Sequence, residues 1–167
     1  YVAQALAQGA TACLMEEAGH SPWLAGLQTS NADGKLSCMT NLKAQTGLVA
    51  DAYYERPSQA LKVLAVTGTN GKTSTAWWLA QALSSHVLQQ ACGLVGTLGV
   101  GRVDQGDVLS TGLTTPDPVT LHATFRQFVN QGLRAAAIEA SSIGIEELRL
   151  HATHIAVAQF TNFTQDH

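Results

Sequence analysis

The pattern of apolar and polar positions divides the second part of the chain into alternating strand-like and helix-like segments. Short apolar runs predict four buried strands, at 61–67, 91–95, 134–140 and 155–160. Two stretches with helical spacing lie between them, at 73–84 and 117–130. Asp117 and Pro118 open the second helix and Gly132 ends it. Strands that alternate with helices predict an α/β fold with a parallel sheet and right-handed crossovers. The glycine-rich stretch 96–112 predicts a hairpin beside it.

The first part of the chain carries shorter elements of the same kinds. A helix ends at Gly9, and a second helix begins with Asn41 as its N-cap and runs to about Tyr54. Two short strands are predicted between them, at 10–15 and 35–39, separated by a polar loop at 16–33. The segment Glu55-Arg-Pro-Ser58 reads as a hinge, so the predicted domains are 1–58 and 59–167.

Composition narrows the class of protein. The 167 residues are 46% apolar and 13% charged, which is typical of a globular chain with a buried core. The net charge of −3 argues against a nucleic-acid surface. No apolar run approaches the roughly 20 residues of a membrane span, and no signal peptide opens the sequence, so we expect no membrane insertion. Three cysteines without metal-ligand spacing predict free core thiols and a cytoplasmic location.

The segment from Val63 to Thr75 joins a strand, a glycine loop and a helix start, and its core is Gly68-Thr-Asn-Gly-Lys-Thr73. The first turn of a helix leaves N–H groups without intrahelical partners and carries the positive end of the helix dipole, so it attracts phosphate. Lys72 adds a point charge and the Thr73 hydroxyl is a magnesium ligand type. The full phosphate-loop motif also asks for a glycine where Val66 stands. The context therefore carries the prediction of nucleotide phosphate binding.

Polar residues close the other strands at the same predicted edge of the sheet. Glu139 ends one strand and Thr161 follows another, as Thr67 ends the strand before the loop. Ligands of such sheets bind beyond the carboxyl ends of the strands. Glu139 there predicts a magnesium contact, with a helix N-cap as the alternative. By residue type alone, the remaining polar candidates are more typical of caps or solvated surface than of a functional site: Thr114, Thr115, Ser141, Arg149 and His167.

Four segments in one order resemble the Mur ligase family. They are Thr67-Gly-Thr-Asn-Gly-Lys-Thr73, Leu113-Thr-Thr-Pro116, Glu139-Ala-Ser-Ser-Ile-Gly144 and Thr161-Asn-Phe-Thr-Gln-Asp-His167. The resemblance covers nearly all of the chain and is greatest to the branch that adds the third amino acid of the peptidoglycan stem peptide. It implies a P-loop-containing parallel sheet flanked by helices, the partial central ATP-binding domain, at 59–167. A partial N-terminal α/β domain that binds the UDP-muramoyl substrate would precede it, at 1–58.

The resemblance also implies a role for each matching residue. ATP would be bound by the loop and the helix start: Gly68, Thr69, Asn70, Gly71, Lys72, Thr73 and Ser74. Mg²⁺ would be held by Thr73, Glu139 and His167. The catalytic residues would be Lys72, Glu139 and His167. The UDP-N-acetylmuramoyl-dipeptide would contact Thr114, Thr115, Ser141, Glu147 and Arg149.

The implied reaction is ATP-dependent amide ligation. A carboxylate of the dipeptide attacks the γ-phosphate of ATP, and the amine of a diamino acid, meso-diaminopimelate or L-lysine, displaces the phosphate from the resulting acyl phosphate. The amino-acid-selecting C-terminal domain of the family would follow His167. We therefore expect residues 1–167 alone to be inactive and the complete protein to be a monomer.

The chain departs from the family pattern at three positions, and two other functions stay open. Leu113 stands where many relatives have Asn, Ile143 where many have His, and Glu147 where some have a substrate-binding Gln. One alternative is a ligase of the folate-polyglutamate type, which shares the phosphate loop. The other is a non-catalytic ATP-binding module, although a module of that kind has little need of a second metal contact such as Glu139.

Overall fold

The computed structural model describes residues 1–18, 34–85, 88 and 90–164. The predicted loop at 16–33 lies mostly outside these residues, as does His167. The chain divides into two compact units, Tyr1–Gln45 and Thr46–His167. This division precedes the predicted boundary at Ser58, and the assignment of 1–58 and 59–167 to separate domains of the family stays a prediction.

The first unit is built on two short parallel strands. Helix α1 is Val2–Ala7, strand β1 is Cys13–Glu16, strand β2 is Leu36–Met39, and helix α2, which begins here, is Leu42–Tyr53. β1 pairs with β2 from Cys13 opposite Leu36 to Glu16 opposite Met39. These elements confirm the predicted helix, strands and second helix to within three residues at each end.

The start of α2 uses a side chain distant in sequence. The Glu16 carboxylate accepts hydrogen bonds from the backbone N–H of Asn41 at 3.0 Å and of Leu42 at 2.7 Å. The Leu42 bond is the main reason why the pKa of Glu16 lies below its usual value. Asn41 has a φ of 55°, whereas an N-cap residue usually lies in the β region. The sequence predicted Asn41 as the cap. It could not show that the Glu16 carboxylate, at the end of β1, would lie at this end of the helix and accept these hydrogen bonds.

In its described part, the second unit contains ten further elements. They are α3 Pro57–Ala60, β3 Lys62–Thr67, α4 Lys72–Leu83, β4 Cys92–Gly96, β5 Gly99–Arg102, a 3₁₀ turn Val103–Gln105, α5 Pro118–Asn130, β6 Ala135–Glu139, α6 Ser142–Glu146 and β7 Ile155–Phe160.

The five strands of this unit form one sheet in the order β5-β4-β6-β3-β7. β4, β6, β3 and β7 run parallel, and β5 returns antiparallel to β4 as the predicted hairpin. The parallel α/β fold is thereby confirmed. The register places Val66 opposite Glu139 and Thr67 opposite Phe160. The carboxyl ends of β3, β6 and β7 therefore meet at one edge, as predicted.

Each face of the sheet packs against its own layer of side chains. Alternate residues of β3 point in opposite directions, so that Val63 and Val66 belong to different clusters. On one face α5 contributes three buried side chains, Leu121, Phe125 and Phe128. On the other face α4 contributes Ala76 and Ala80, one turn apart and both 0% exposed. Small residues at that spacing let the helix lie close against the strands. The phosphate-loop helix is thereby seated firmly on β4 and β6.

Arg126 and His122 hold the segment 51–56 against α5. The Arg126 guanidinium donates to the carbonyl oxygens of Tyr54 at 2.8 Å and Glu55 at 2.9 Å. His122 is 0% exposed, and its Nδ1 lies 3.4 Å from Asp51 Oδ1. Burial is the main reason why the pKa of His122 is lowered. The predicted hinge 55–58 thus consists of Glu55, whose carbonyl is bound by Arg126 of α5, Arg56, and the first two residues of helix α3.

The start of α5 confirms its predicted cap. Asp117 Oδ1 accepts hydrogen bonds from the N–H groups of Val119 at 3.0 Å and Thr120 at 3.1 Å, and Pro118 occupies the first turn. Burial of the Asp117 carboxylate acts to raise its pKa, but the hydrogen bonds from Thr120 and Val119 outweigh it and the pKa is lowered. The cap therefore stabilises the fold while Asp117 is ionised.

Replacing Asp117 tests this cap. Asp117→Ala should lower the free energy of unfolding by about 1 kcal/mol at neutral pH. Asp117→Asn should keep most of the stabilisation that the cap provides. Because the folded-state pKa is depressed, the contribution is present above the unfolded pKa and is lost as the pH falls through the folded value. Urea unfolding of the three proteins from neutral to acid pH would measure this. An Asp117→Ala deficit that stays constant down to acid pH would refute the ionic cap.

The three cysteines are free, as predicted, but only one lies in the core. Cys92 is buried, Cys38 is exposed and Cys13 is intermediate. Burial raises the pKa of Cys92 to about 12, so thiolate at this position is scarce.

Among the described residues, no helix is long and apolar enough to cross a bilayer.

The thiols should differ in reactivity. With an aromatic disulfide reagent at about pH 8, Cys38 should react quickly and Cys92 should react only after unfolding, since the thiolate is the reacting form. Peptide mapping of the labelled protein would identify the sites. A Cys38→Ser variant is the control, and rapid labelling of Cys92 in the folded protein would contradict the burial.

Candidate functional site

The loop between β3 and α4 has the shape of a phosphate cradle. Gly68 has a φ of 127° and Gly71 a φ of 82°, a region that side chains with a Cβ rarely enter. Gly71 precedes the first residue of α4, Lys72. The chain thus turns twice and presents the N–H groups of the first helical turn at the carboxyl edge of the sheet.

The segment after β7 fixes the shape of this loop. Asn162 clamps Asn70, since its Oδ1 accepts from the Asn70 N–H at 3.0 Å and its Nδ2 donates to the Asn70 carbonyl at 3.2 Å. The Thr161 hydroxyl donates to the same carbonyl at 2.6 Å, and the Thr69 hydroxyl donates to the Thr164 carbonyl at 2.9 Å. A Cβ on Gly68 would lie 2.2 Å from Thr161 Oγ1. The loop is therefore preorganised by the segment after β7, which follows it by about ninety residues.

Lys72 lies folded over the loop. Its ammonium donates to the carbonyl oxygens of Gly68 at 2.6 Å and Thr69 at 3.0 Å. An ammonium has three N–H groups, so a third remains for an anion beside the loop. The side chain is half-buried. The positive charge of Lys72 is thus held beside the loop.

Glu139 lies at the end of β6 with both carboxylate oxygens engaged. Oε1 accepts from the Thr97 N–H at 2.7 Å. Oε2 accepts from the Thr73 hydroxyl at 2.8 Å and from the Thr97 hydroxyl at 3.2 Å. Glu139 is 2% exposed, and among the described residues no cation pairs with it. The alternative of a helix N-cap is wrong, because Ser141 caps α6 instead.

The donor set around Glu139 fits a magnesium ion. A buried carboxylate without a cation is costly, and a hydroxyl and a carboxylate oxygen are the hard ligands that Mg²⁺ takes while it keeps several waters and phosphate oxygens. Thr73 and Glu139 bring these two ligand types within 2.8 Å of each other. The third residue implied as a ligand, His167, lies outside the described residues. Within them, no group of three or more His, Cys, Asp or Glu side chains gathers elsewhere as a metal site.

Thr115, Ser141 and Arg149 form a connected group behind Glu139. The Thr115 hydroxyl donates to the Glu139 carbonyl at 2.8 Å and accepts from the Ser141 N–H at 3.0 Å. The Ser141 hydroxyl accepts from the Gly144 N–H at 3.0 Å. Arg149 donates one N–H to the Thr115 carbonyl at 2.8 Å, which leaves most of its five N–H groups available. The structure thus brings these three predicted substrate contacts together, with Thr115 buried and its hydroxyl used internally.

The other predicted residues are placed less closely. Thr114 is half-buried, and its hydroxyl lies 2.9 Å from that of Thr97. Glu147 and Ser74 are exposed. A cavity of about 430 Å³ opens beside the loop. It is lined by Thr67, Gly68, Thr69, Lys72, Ser142, Ile145, Glu146, Phe160, Phe163 and Thr164. Glu146, and not Glu147, is the acid in its wall.

The sequence did not single out two residues of this site. Thr97, in the turn after β4, contacts Glu139 by both its N–H and its hydroxyl. Asn162 clamps the loop. The available signal is positional, because Thr97 directly follows β4 and Asn162 is the second residue after β7.

The fold and the site together define a phosphate-loop α/β domain with a buried acid placed against the loop's hydroxyl. The family model of the Mur ligase middle domain matches residues 66–167, which is more than half of the chain. The chain therefore belongs to the Mur ligase family, and the resemblance inferred from the four sequence segments is confirmed.

Individual relatives agree with this assignment. The UDP-N-acetylmuramoyl-L-alanyl-D-glutamate–2,6-diaminopimelate ligase of Acidovorax sp. (strain JS42) is 51% identical over 100% of this chain and 33% of the relative. The ligase of the same name from Janthinobacterium sp. (strain Marseille) is 44% identical over 100% of this chain and 32% of the relative. A solved structure of a ligase of that name superposes with a TM-score of 0.65 at 31% identity, covering 80% of this chain and 27% of that one. The chain thus spans about a third of the length of these curated relatives.

The two loop glycines offer a matched test of preorganisation. Gly68→Ala would place a methyl group 2.2 Å from Thr161 Oγ1 and 2.8 Å from the Asn162 carbonyl, so the clamp must open. At Gly71 the nearest atoms are 3.9 Å away, so only the left-handed backbone resists the substitution. We expect Gly68→Ala to weaken Mg·ADP binding about 100-fold or more and Gly71→Ala to weaken it less.

Calorimetric titration of Mg·ADP into the complete protein that contains this chain would measure the affinity of each variant. Circular dichroism provides the control for folding. Equal losses in the two variants would mean that backbone conformation alone, and not the contact with the segment after β7, shapes the loop.

Proposed function

We propose that this chain is the nucleotide-binding part of an ATP-dependent amide ligase of peptidoglycan synthesis. The ligase would join 2,6-diaminopimelate, as third amino acid, to UDP-N-acetylmuramoyl-L-alanyl-D-glutamate through an acyl phosphate. The substrates come from the names of the relatives, which match the chain along its whole length. Because the chain spans a third of those relatives, the activity belongs to the complete reading frame.

One observation carries the proposal. The Thr73 hydroxyl at the start of α4 donates to the buried carboxylate of Glu139 at 2.8 Å, with Lys72 beside it on the loop. A phosphate loop by itself is a binding device, whereas a carboxylate placed against its hydroxyl adds a second metal contact of the kind phosphoryl-transfer enzymes use. Two neighbouring strands of the sheet, β3 and β6, bring these groups to one edge.

Each residue of the loop then has a defined task. The segment Gly68 to Ser74 would bind the ATP phosphates, through backbone N–H groups other than those of Thr69 and Asn70, which donate to Asn162. The ammonium of Lys72 would lie on the β- and γ-oxygens. Thr73 and Glu139 would hold Mg²⁺, with His167 as a further proposed ligand. The ion supplies charge neutralisation and a template for in-line transfer. Asn162 and Thr161 keep Asn70 and the loop in position.

The chemistry requires a carboxylate to approach a polyanion. Two like charges at about 4 Å repel by about 1 kcal/mol in water and by about 4 kcal/mol at an effective dielectric constant of 20. Lys72 offsets part of this repulsion from the loop side. Arg149, which anchors on the Thr115 carbonyl and keeps N–H groups available, is suited to receive an anionic group of the dipeptide from the other side.

The remaining substrate contacts follow from the hydrogen-bond group behind Glu139. Thr114 offers a half-buried hydroxyl towards the site, and Ser141 lies at the cap of α6. Thr115 would act by holding Ser141 and Arg149 in place. Glu147 is exposed and stays a weak substrate contact, since an ionised acid there would repel an anionic substrate unless it pointed away.

The wider setting is part of the same proposal. The complete ligase would be cytoplasmic and monomeric, would bind no nucleic acid and would take its amino acid from a C-terminal domain. Residues 1–167 alone would form no amide. A ligase of the folate-polyglutamate type or a non-catalytic ATP-binding module would share the loop, and the first would need a pterin and glutamate in place of the uridine nucleotide.

Phosphate release decides between these functions. We expect the complete protein to release phosphate from Mg·ATP only when UDP-N-acetylmuramoyl-L-alanyl-D-glutamate and 2,6-diaminopimelate are both present. The reason is that transfer of the acyl group to the amine completes the turnover. Each amino acid, including L-lysine, should be assayed separately. Release with a folate and glutamate would support the rival ligase. No release with any acceptor, together with ATP binding, would indicate a binding module.

Replacing Glu139 tests the metal assignment within the same assay. Glu139→Gln keeps the size of the side chain but removes its charge, so we expect turnover to fall about 100-fold or more while metal-free nucleotide binding remains. Glu55→Gln is the control, since the Glu55 side chain is 80% exposed and its ion pair with Arg126 lies at the surface. Unchanged turnover in Glu139→Gln would remove Glu139 from the magnesium site.

A further inference from the structure

Thr97 connects the two halves of the site, and the predicted roles include none for it. It follows β4 and contacts the nucleotide side through Glu139, to which it donates both its N–H at 2.7 Å and its hydroxyl at 3.2 Å. It contacts the substrate side through Thr114, whose hydroxyl oxygen lies 2.9 Å from its own. Thr97 is therefore a single-residue bridge between the proposed metal carboxylate and a proposed substrate hydroxyl.

The direction of these bonds follows from counting hydrogens. A hydroxyl carries one hydrogen, and an ionised carboxylate only accepts. When the Thr97 hydroxyl donates to Glu139 Oε2, it has no hydrogen left for Thr114. The 2.9 Å bond between the two hydroxyls then requires Thr114 to donate to Thr97. In this state the Thr114 hydrogen points into the site wall, and only its lone pairs face a ligand.

A cation on Oε2 would reverse this chain. Oε2 already accepts from Thr73 at 2.8 Å and from Thr97 at 3.2 Å, the longer and weaker of the two bonds. An ion held by Glu139 would compete for the lone pairs of this oxygen and would repel both hydroxyl hydrogens. The Thr97 hydroxyl would then donate to Thr114 Oγ1, and Thr114 would keep its own hydrogen for a ligand.

We propose that Thr97 is a positioning residue that couples the two ligands through this hydroxyl relay. Binding of Mg·nucleotide at Glu139 would convert Thr114 from an acceptor into a donor, and so improve binding of the acidic UDP-sugar dipeptide. The proposal rests on the proposed function, since it takes Glu139 as a metal ligand and Thr114 as a substrate contact. By linkage, the dipeptide must raise the affinity for Mg·nucleotide by the same factor.

The backbone N–H of Thr97 makes the relay separable from structure. It donates to Oε1, on the other oxygen of the carboxylate, and any residue but proline retains it. Thr97→Val therefore removes the hydroxyl at nearly constant shape and leaves Glu139 held. Thr97→Ser restores a hydroxyl, and Thr97→Ala removes it without placing a second methyl group beside the carboxylate.

The experiment is a thermodynamic binding cycle, with and without nucleotide, on the complete protein that contains this chain. The dissociation constant of UDP-N-acetylmuramoyl-L-alanyl-D-glutamate is measured by calorimetry without nucleotide and with saturating Mg²⁺ and a non-hydrolysable ATP analogue. We expect the wild-type affinity to rise about 5-fold or more with nucleotide. In Thr97→Val and Thr97→Ala the rise should fall below about 2-fold. Affinity in the absence of nucleotide should already exceed that of wild type, because Thr114 no longer donates its hydrogen to Thr97. Thr97→Ser should keep the wild-type rise.

Each outcome bears on the proposal. The proposal would be overturned if nucleotide raised the dipeptide affinity of Thr97→Val as much as that of wild type. It would also be overturned if nucleotide left the dipeptide affinity of the wild-type protein unchanged. Loss of the rise in Thr97→Ser as well would also overturn it, because the hydroxyl would then not be the responsible group. If Thr97→Val fails to fold, Thr97→Ala decides. A wild-type protein that binds Mg·nucleotide but not the dipeptide would instead overturn the proposed function, and the relay with it.

Discussion

Glu139 lies at the end of β6, the middle strand of the sheet, and the site is arranged around its buried carboxylate. The strands on either side supply the groups that hold it, since Thr97 follows β4 and Thr73 opens the helix after β3. Helix α4 leaves β3, crosses β6 and leads to β4, so the loop and the turn necessarily flank the same acid. A Cβ on Gly96 would lie 2.2 Å from Glu139 Oε1. The topology therefore explains why an acid at this strand end meets the phosphate loop.

The same arrangement explains which parts of the site are rigid. Glu139 and Thr115 are nearly inaccessible, and their polar atoms are paired within the protein. The phosphate loop is exposed at Asn70 and Gly71, yet Asn162 and Thr161 fix it from the end of β7. Preorganised donors need no reordering when an anion arrives, which is where much of the benefit of such loops lies. The hydroxyl groups of Thr73, Thr97 and Thr114 can rotate in response to a ligand without any movement of the backbone.

Local sequence signals predicted most of the fold. Apolar runs located the strands of the main sheet, Asp117 and Gly132 bounded α5, and glycine spacing located the phosphate loop. Contacts between residues far apart in the chain were not predictable. The Glu16 carboxylate at the start of α2, the Asn162 clamp and the Thr97 bridge all depend on which strands become neighbours. The strand order β5-β4-β6-β3-β7 contains that information, and periodicity does not.

The substrate side shows why a residue role taken from a family needs the structure beside it. The family resemblance assigns the same role, contact with the dipeptide, to Thr115, Ser141 and Arg149. Their hydrogen bonds within the protein show that they differ in how many polar groups they have left for a ligand. The Thr115 hydroxyl is used within the protein, Ser141 accepts from its own helix, and Arg149 keeps most of its donors. Arg149 and Thr114 therefore have the greater capacity to meet an anionic ligand directly, while Thr115 determines where Arg149 lies. A hydroxyl with two possible partners, as at Thr97, transmits the state of one ligand to the next, whereas a fully committed hydroxyl only supports its neighbours.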